Sequence, residues 1–156
     1  MRLTRIVPLA ALLALAACQE APEKKAPTAA KAAEPAAAEP QGPLAIYVGK
    51  TAFEPVEGTA FADHERVSAS VLLAVRNEEP RAWVLRRDTQ QSPIMLENGR
   101  LQAHGCERGN CGARNWTILI DPAGAMAEVC FHEGGRTRWY GAGRTTAERP
   151  GECPGA

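Results

Sequence analysis

Four cysteines in the second half of the chain, Cys106, Cys111, Cys130 and Cys153, and three histidines, His64, His104 and His132, are the side chains with most chemistry to offer. Cysteine and histidine together can hold zinc, which makes Cys106-x4-Cys111 with His104 or His132 one arrangement to test. The spacing lacks a matching second half, and it is not the Cys-x-x-Cys of a redox centre. His104, His132, Asp121 and Glu128 can be assembled on paper into an acid/base set. Dispersed polar residues of this number arise in any domain, however, and there is no Gly-x-Ser-x-Gly elbow, no phosphate-cradling glycine loop and no His-Glu-x-x-His site. The expectation is a protein that is not an enzyme and uses neither metal nor cofactor.

A fifth cysteine, Cys18, has a different context. Arg2 and Arg5 precede the apolar run Ile6 to Ala17, which ends in Leu15-Ala16-Ala17-Cys18. Twelve apolar residues are too few to span a bilayer but suit a cleaved signal. The ending resembles a bacterial lipobox, which implies removal of residues 1–17 and acylation of Cys18. Several acyl chains hold a protein to a membrane far more firmly than one. Gln19 follows the cysteine where an Asp would retain such proteins at the inner membrane, so the resemblance implies the periplasmic face of the outer membrane.

Residues 19–43 have nine Ala, five Pro, four Glu and three Lys, and no Val, Ile, Leu or aromatic residue. Such a segment cannot bury enough apolar surface to offset its ordering entropy. Together with Cys18 it is expected to form a disordered tether, residues 18–43, able to hold a domain up to about 75 Å from the lipid.

The body that must position the reactive residues is then 44–156. The whole chain has 18 basic and 18 acidic residues, interspersed, which removes the electrostatic basis for nucleic-acid binding. From Asp63 to Asn77 the apolar positions Val67, Val71, Leu72, Ala74 and Val75 recur at helical spacing, with Asp63 as N-cap, so one amphipathic helix is expected there. His64 in its first turn reads as a surface residue. After Pro80 the period changes to two. Ile94 to Leu96 and Leu101 to His104 flank Asn98-Gly99, a strong hairpin signal because both residues accept positive φ. Trp116 to Ile120, Met126 to His132 and Thr137 to Tyr140 follow, separated by Asp121-Pro122-Ala123-Gly124 and Glu133-Gly134-Gly135. The fold class is therefore α+β, one helix packed on an antiparallel meander of about five strands. Trp83, Trp116 and Trp139 read as packing residues. The tail from Arg144 is polar, held only by Cys153.

In an exported chain four remaining cysteines argue for two disulfides, and three pairings are open. Cys106 with Cys111 and Cys130 with Cys153 are favoured. The first closes a short tip around Glu107-Arg108-Gly109-Asn110, and the second fastens the tail to a strand.

An ordered set of these features resembles the inhibitor of vertebrate lysozyme family, Ivy. The set comprises Pro80-Arg81-Ala82-Trp83-Val84 after the helix, Ser92-Pro93, the Asn98-Gly99 hairpin, and Gly105-Cys106-Glu107-Arg108-Gly109-Asn110-Cys111. It continues with the Trp116 strand, the Gly124 turn, the strand Val129 to His132, and Trp139, and spans about Phe61 to Tyr140. The resemblance implies a helix on an antiparallel sheet and a disulfide-closed Cys-Lys-Pro-His-Asp-Cys loop whose His enters the lysozyme cleft. Here Glu107 stands for the Lys, Arg108 for the Pro, Gly109 for the His and Asn110 for the Asp, so the family's donor is missing and Arg108 is the replacement candidate. The resemblance thus implies a lipid-anchored envelope protein whose partner is a lysozyme or other peptidoglycan-cleaving muramidase, bound through loop 105–112. The alternative is a structural or assembly lipoprotein that binds another envelope component through its sheet.

Overall fold

The computed structural model describes residues 41–141 and 146–155; Cys18, the signal segment and the tether up to residue 40 lie outside them. After a short 3-10 turn, Ala45–Tyr47, comes a two-stranded ribbon, β1 (Pro55–Val56) and β2 (Thr59–Ala60), and then a second 3-10 turn, Phe61–Asp63. Helices α1 (Glu65–Ala74) and α2 (Glu78–Val84) come next. The strands of the main sheet are β3 (Gln90–Gln91), β4 (Met95–Glu97), β5 (Arg100–Cys106), β6 (Arg114–Ile120), β7 (Ala127–Glu133), β8 (Arg136–Tyr140) and β9 (Thr146–Arg149). The main sheet is antiparallel, in the order β3-β5-β6-β7-β8-β9, with β4 also paired to β5. The α+β class expected from the sequence holds, with seven strands in the sheet where about five were expected and two helices where one was.

Alternation divides the sheet into two faces. Leu101, Ala103, Trp116, Ile118, Ile120, Val129 and Phe131 point to one side, and Val67, Val71 and Ala74 of α1 close over them with Phe61, Tyr47 and Leu44. Burying a large apolar side chain contributes roughly 1.5–3 kcal/mol, so this face supplies most of the driving force. Leu72, expected on the apolar side of the helix, is instead exposed, and Ser70 is buried in its place. The opposite face carries His104, Thr117, Asn115, His132 and Thr137, all buried. Residues 150–155 cover it.

Three local expectations change. The cap of α1 is His64, whose Nδ1 accepts from the Arg66 amide, while Asp63 sits in a preceding turn and pairs with Arg87. Helix α2 contains Pro80, but at its third residue, where the missing N–H is one that no helix satisfies internally. The tail is held by more than Cys153, because β9 pairs with β8 and Thr117 Oγ1 donates to Pro154 O. The domain's packing begins at Gly42, whose left-handed backbone (φ 141°) lies against Pro122; a Cβ there would lie 2.3 Å from the Pro122 carbonyl. At the β4–β5 hairpin both Asn98 and Gly99 have positive φ, as that turn requires. Among the described residues no helix is long and apolar enough to cross a membrane.

Candidate functional site

The loop between β5 and β6 stands at one end of the sheet and is closed by Cys106–Cys111, whose Cα atoms are 4.8 Å apart. Its turn is made by backbone bonds. Asn110 N donates to Glu107 O at 2.9 Å, and Ala113 N and Arg114 N donate to Asn110 O at 3.0 and 3.1 Å. Gly109 has φ 77°, and a side chain there would meet open space. Gly105 at the loop's foot is needed for another reason: a Cβ would lie 2.5 Å from Cζ2 of buried Trp116.

The four tip residues divide by direction. Glu107 is turned back: its carboxylate accepts from Asn110 Nδ2 at 2.9 Å and lies 3.7 Å from Arg114. Arg114 in turn bonds Glu133, which also faces Arg138 at 3.8 Å. Two of the four side chains, Glu107 and Asn110, are thus used inside the loop. Arg108 and Gly109 are exposed, and Arg108 makes no ion pair or hydrogen bond with any described residue.

Beside the loop, the Trp83 ring of α2 carries the guanidinium of Arg114 at 4.2 Å and that of Arg86 at 4.6 Å. Such stacking on an indole is favourable and fixes both side chains. Arg86 is also bonded to Asp88, and this bond above all, with a smaller effect of the Arg108 charge, holds the Asp88 carboxyl below its ordinary range. The arginines around the loop are therefore committed to partners, apart from Arg108. Sequence reasoning missed this girdle, since the end of α2 with Trp83 and Arg86, the start of β6 with Arg114, and the end of β7 with Glu133 are three segments that lie apart in the sequence. The only signal was the density of arginine on both sides of the loop.

The alternative chemistries do not assemble. All four cysteines are in disulfides, the second being Cys130–Cys153 with Cα atoms 5.6 Å apart. His104 Nδ1 meets Thr117 Oγ1 at 3.0 Å and His132 Nδ1 meets Thr137 Oγ1 at 2.7 Å. Asp121 accepts from the amides of Ala123 and Ala125 in its own turn, and Glu128 pairs with Arg100 and Arg149. No acid/base set forms from these four residues. Trp139 is half-buried beneath Arg149 at 4.6 Å, and Trp116 is core.

A family model described as inhibitor of vertebrate lysozyme (Ivy) matches residues 69–153, over half of the chain. It begins inside α1 and runs past Tyr140 through β9 to Cys153, so it takes in both the closed loop and the tail. Comparison with curated proteins and with solved structures yields no match.

Proposed function

The chain belongs to the inhibitor of vertebrate lysozyme (Ivy) family, and we propose that it is a lipid-anchored envelope protein that blocks a lysozyme-type muramidase with the tip of loop 105–112. In this reading residues 1–17 are removed as a signal, Cys18 carries the lipid at the periplasmic face of the outer membrane, residues 18–43 are the tether, and 44–156 form the inhibitory domain.

The observation that carries the proposal is the exposed guanidinium of Arg108, which has no ion pair or hydrogen bond among the described residues, on a disulfide-closed tip whose Glu107 and Asn110 are bonded internally. A loop already fixed by a cross-link and backbone bonds loses little entropy on docking. Lysozyme-type sites hold an acid and a nucleophile carboxylate about 5 Å apart. A guanidinium can bond a carboxylate through two parallel N–H donors, and such charge-assisted pairs are stronger than neutral ones. Inserted between the two carboxylates, Arg108 would occupy the substrate's place and pair with the groups that perform the chemistry. The inward turn of Glu107 removes the like charge that would oppose this approach.

The test is inhibition of an animal-type lysozyme by the oxidised domain, taken from residue 41 to 156 so that Gly42 is kept, with Arg108→Ala and Gly109→His beside it. Inhibition by the natural sequence that Arg108→Ala abolishes supports the assignment. Inhibition only by Gly109→His would mean that the scaffold is competent but the natural target is a different enzyme. Because Gly109 is left-handed, Gly109→Asn serves as the backbone control; histidine and asparagine both occur there more readily than most residues. Separately, loss of membrane association in Cys18→Ala, with mass spectrometry of the mature N-terminus, decides the anchor.

A further inference from the structure

The face of the sheet turned away from α1 has a feature that the loop's own geometry does not need. Cys106, Asn115, His132 and Thr137 occupy successive register positions across β5, β6, β7 and β8, and all four are buried. Three of them are bonded outward from the row, and His132 is bonded along it to Thr137. Cys106 closes the loop, and Asn115 Nδ2 donates to the carbonyl of Cys111 at 2.8 Å, tying the far side of the loop to the sheet. His132 Nδ1 meets Thr137 Oγ1, whose hydroxyl donates to Gly151 O, so His132 is the donor to Thr137. The next row, His104, Thr117, Cys130 and Trp139, repeats the pattern: Thr117 Oγ1 donates to Pro154 O at 2.5 Å, and Cys130 is cross-linked to Cys153.

Residues 151–155 therefore lie across both rows. They reach the loop as well, since a Cβ built on Gly112 would stand 4.0 Å from Glu152 Oε1. The segment Pro150-Gly151-Glu152-Cys153-Pro154-Gly155 has no large apolar side chain, and most of the side chains it covers are polar. Hydrophobic burial thus contributes little to holding it, and the disulfide and the two threonine hydroxyls must do so.

We infer that this C-terminal segment is a strap that positions the inhibitory loop: by sealing the Asn115–His132–Thr137 row it keeps the Asn115 amide aligned on Cys111. In this role the strap residues are positioning residues, acting on the loop through Thr137, His132 and Asn115. The inference rests on the reading of loop 105–112 as the binding element, but its first test does not.

That test is amide hydrogen exchange on the full-length chain in detergent, comparing the natural sequence with Cys130→Ala/Cys153→Ala. The loop amides of Asn110, Ala113 and Arg114 should exchange about tenfold faster, while the Ile118 amide in the middle of the sheet stays within about twofold, since local opening and global unfolding are separable by this measurement. Equal exchange in the loop would overturn the proposal. Because the double variant loses a cross-link and so some global stability, Thr137→Val is run with both disulfides intact, and Thr137→Ser as its rescue. Thr137→Val should speed the loop amides in the same direction and Thr137→Ser should restore them; failure of the serine to restore them would mean that packing, and not the hydroxyl bridge to Gly151, governs the loop. A second readout is binding of animal-type lysozyme. The expected change is a faster dissociation rate at nearly constant association rate. If the natural chain binds no lysozyme, the functional reading falls while the exchange result still decides the strap.

Discussion

Glu107 and Arg114 face each other across the neck of the closed loop at 3.7 Å, and Arg108 is the exposed charge of the tip that has no ion pair among the described residues. Arg108→Ala should therefore weaken partner binding by about tenfold or more, the range of a buried charged anchor at an interface. Glu107→Ala should cost less, because it removes an internal contact and no outward one. Titration calorimetry with a lysozyme that the natural chain inhibits measures both; equal affinity for the natural chain and Arg108→Ala would move the contact elsewhere.

Gly105 and Trp116 are in closer contact than any side chain permits. Gly105→Ala should destabilise the domain by about 1–3 kcal/mol, the usual cost of forcing extra volume into a packed core. Thermal unfolding followed by Trp fluorescence would show a lower midpoint, and an unchanged midpoint would mean that the indole relaxes freely.

The two disulfides should differ in their contribution to stability. Cys106–Cys111 closes a sequence separation of 5 and Cys130–Cys153 one of 23. In the chain-entropy account the shorter loop is worth about 2 kcal/mol and the longer about 3 kcal/mol. Cys106→Ala/Cys111→Ala should consequently lower the denaturation midpoint less than Cys130→Ala/Cys153→Ala, while removing partner binding more completely. Urea titrations of the two variants rank the first effect.

His104 links stability to pH. Its burial is the main cause that lowers its pKa below the ordinary imidazole value, with bonds to Pro154 and Trp116 opposing. The unfolded chain therefore takes up a proton more readily than the folded one. This contribution is intact above about pH 6.5, and is lost as pH falls from there through the lowered folded value. The stability of His104→Gln should fall less over the same acidic range. Urea midpoints at pH 7.5 and pH 5 compare the two chains, and identical pH dependence would show that His104 does not govern it.

Much of the sheet was legible because its hairpins have clear punctuation. Asn98-Gly99, Asp121 to Gly124 and Gly134-Gly135 separate runs of strict alternation, so β4 to β8 fall within a few residues of their expected places. Helix α2 was hidden by Pro80, which reads as a terminator unless its position in the first turn is known. Strand β9, Thr146–Arg149, is an edge strand whose residues are mostly exposed, so it carries no alternating apolar signal; pairing with β8 holds it. Leu72 and Ser70 exchange roles because the helix is rotated on β7 to bring Val67, Val71 and Ala74 inward. The limits of the loop were legible from its two cysteines. The directions of its side chains were not, since they depend on Arg114, Trp83 and Glu133, which tertiary folding brings together.

The loop's turn rests on backbone bonds and a cross-link, with the exposed tip side chains outside the core. On the proposed reading, folding and recognition therefore fall largely to different residues. The exposed positions 108 and 109 could then be exchanged like a cassette, given a residue that tolerates left-handed backbone at 109, while Glu107 and Asn110 hold the turn and the body beneath goes on folding as before. A lineage carrying such a scaffold could follow a changing hydrolase, or turn to a new one, without first having to reinvent its fold.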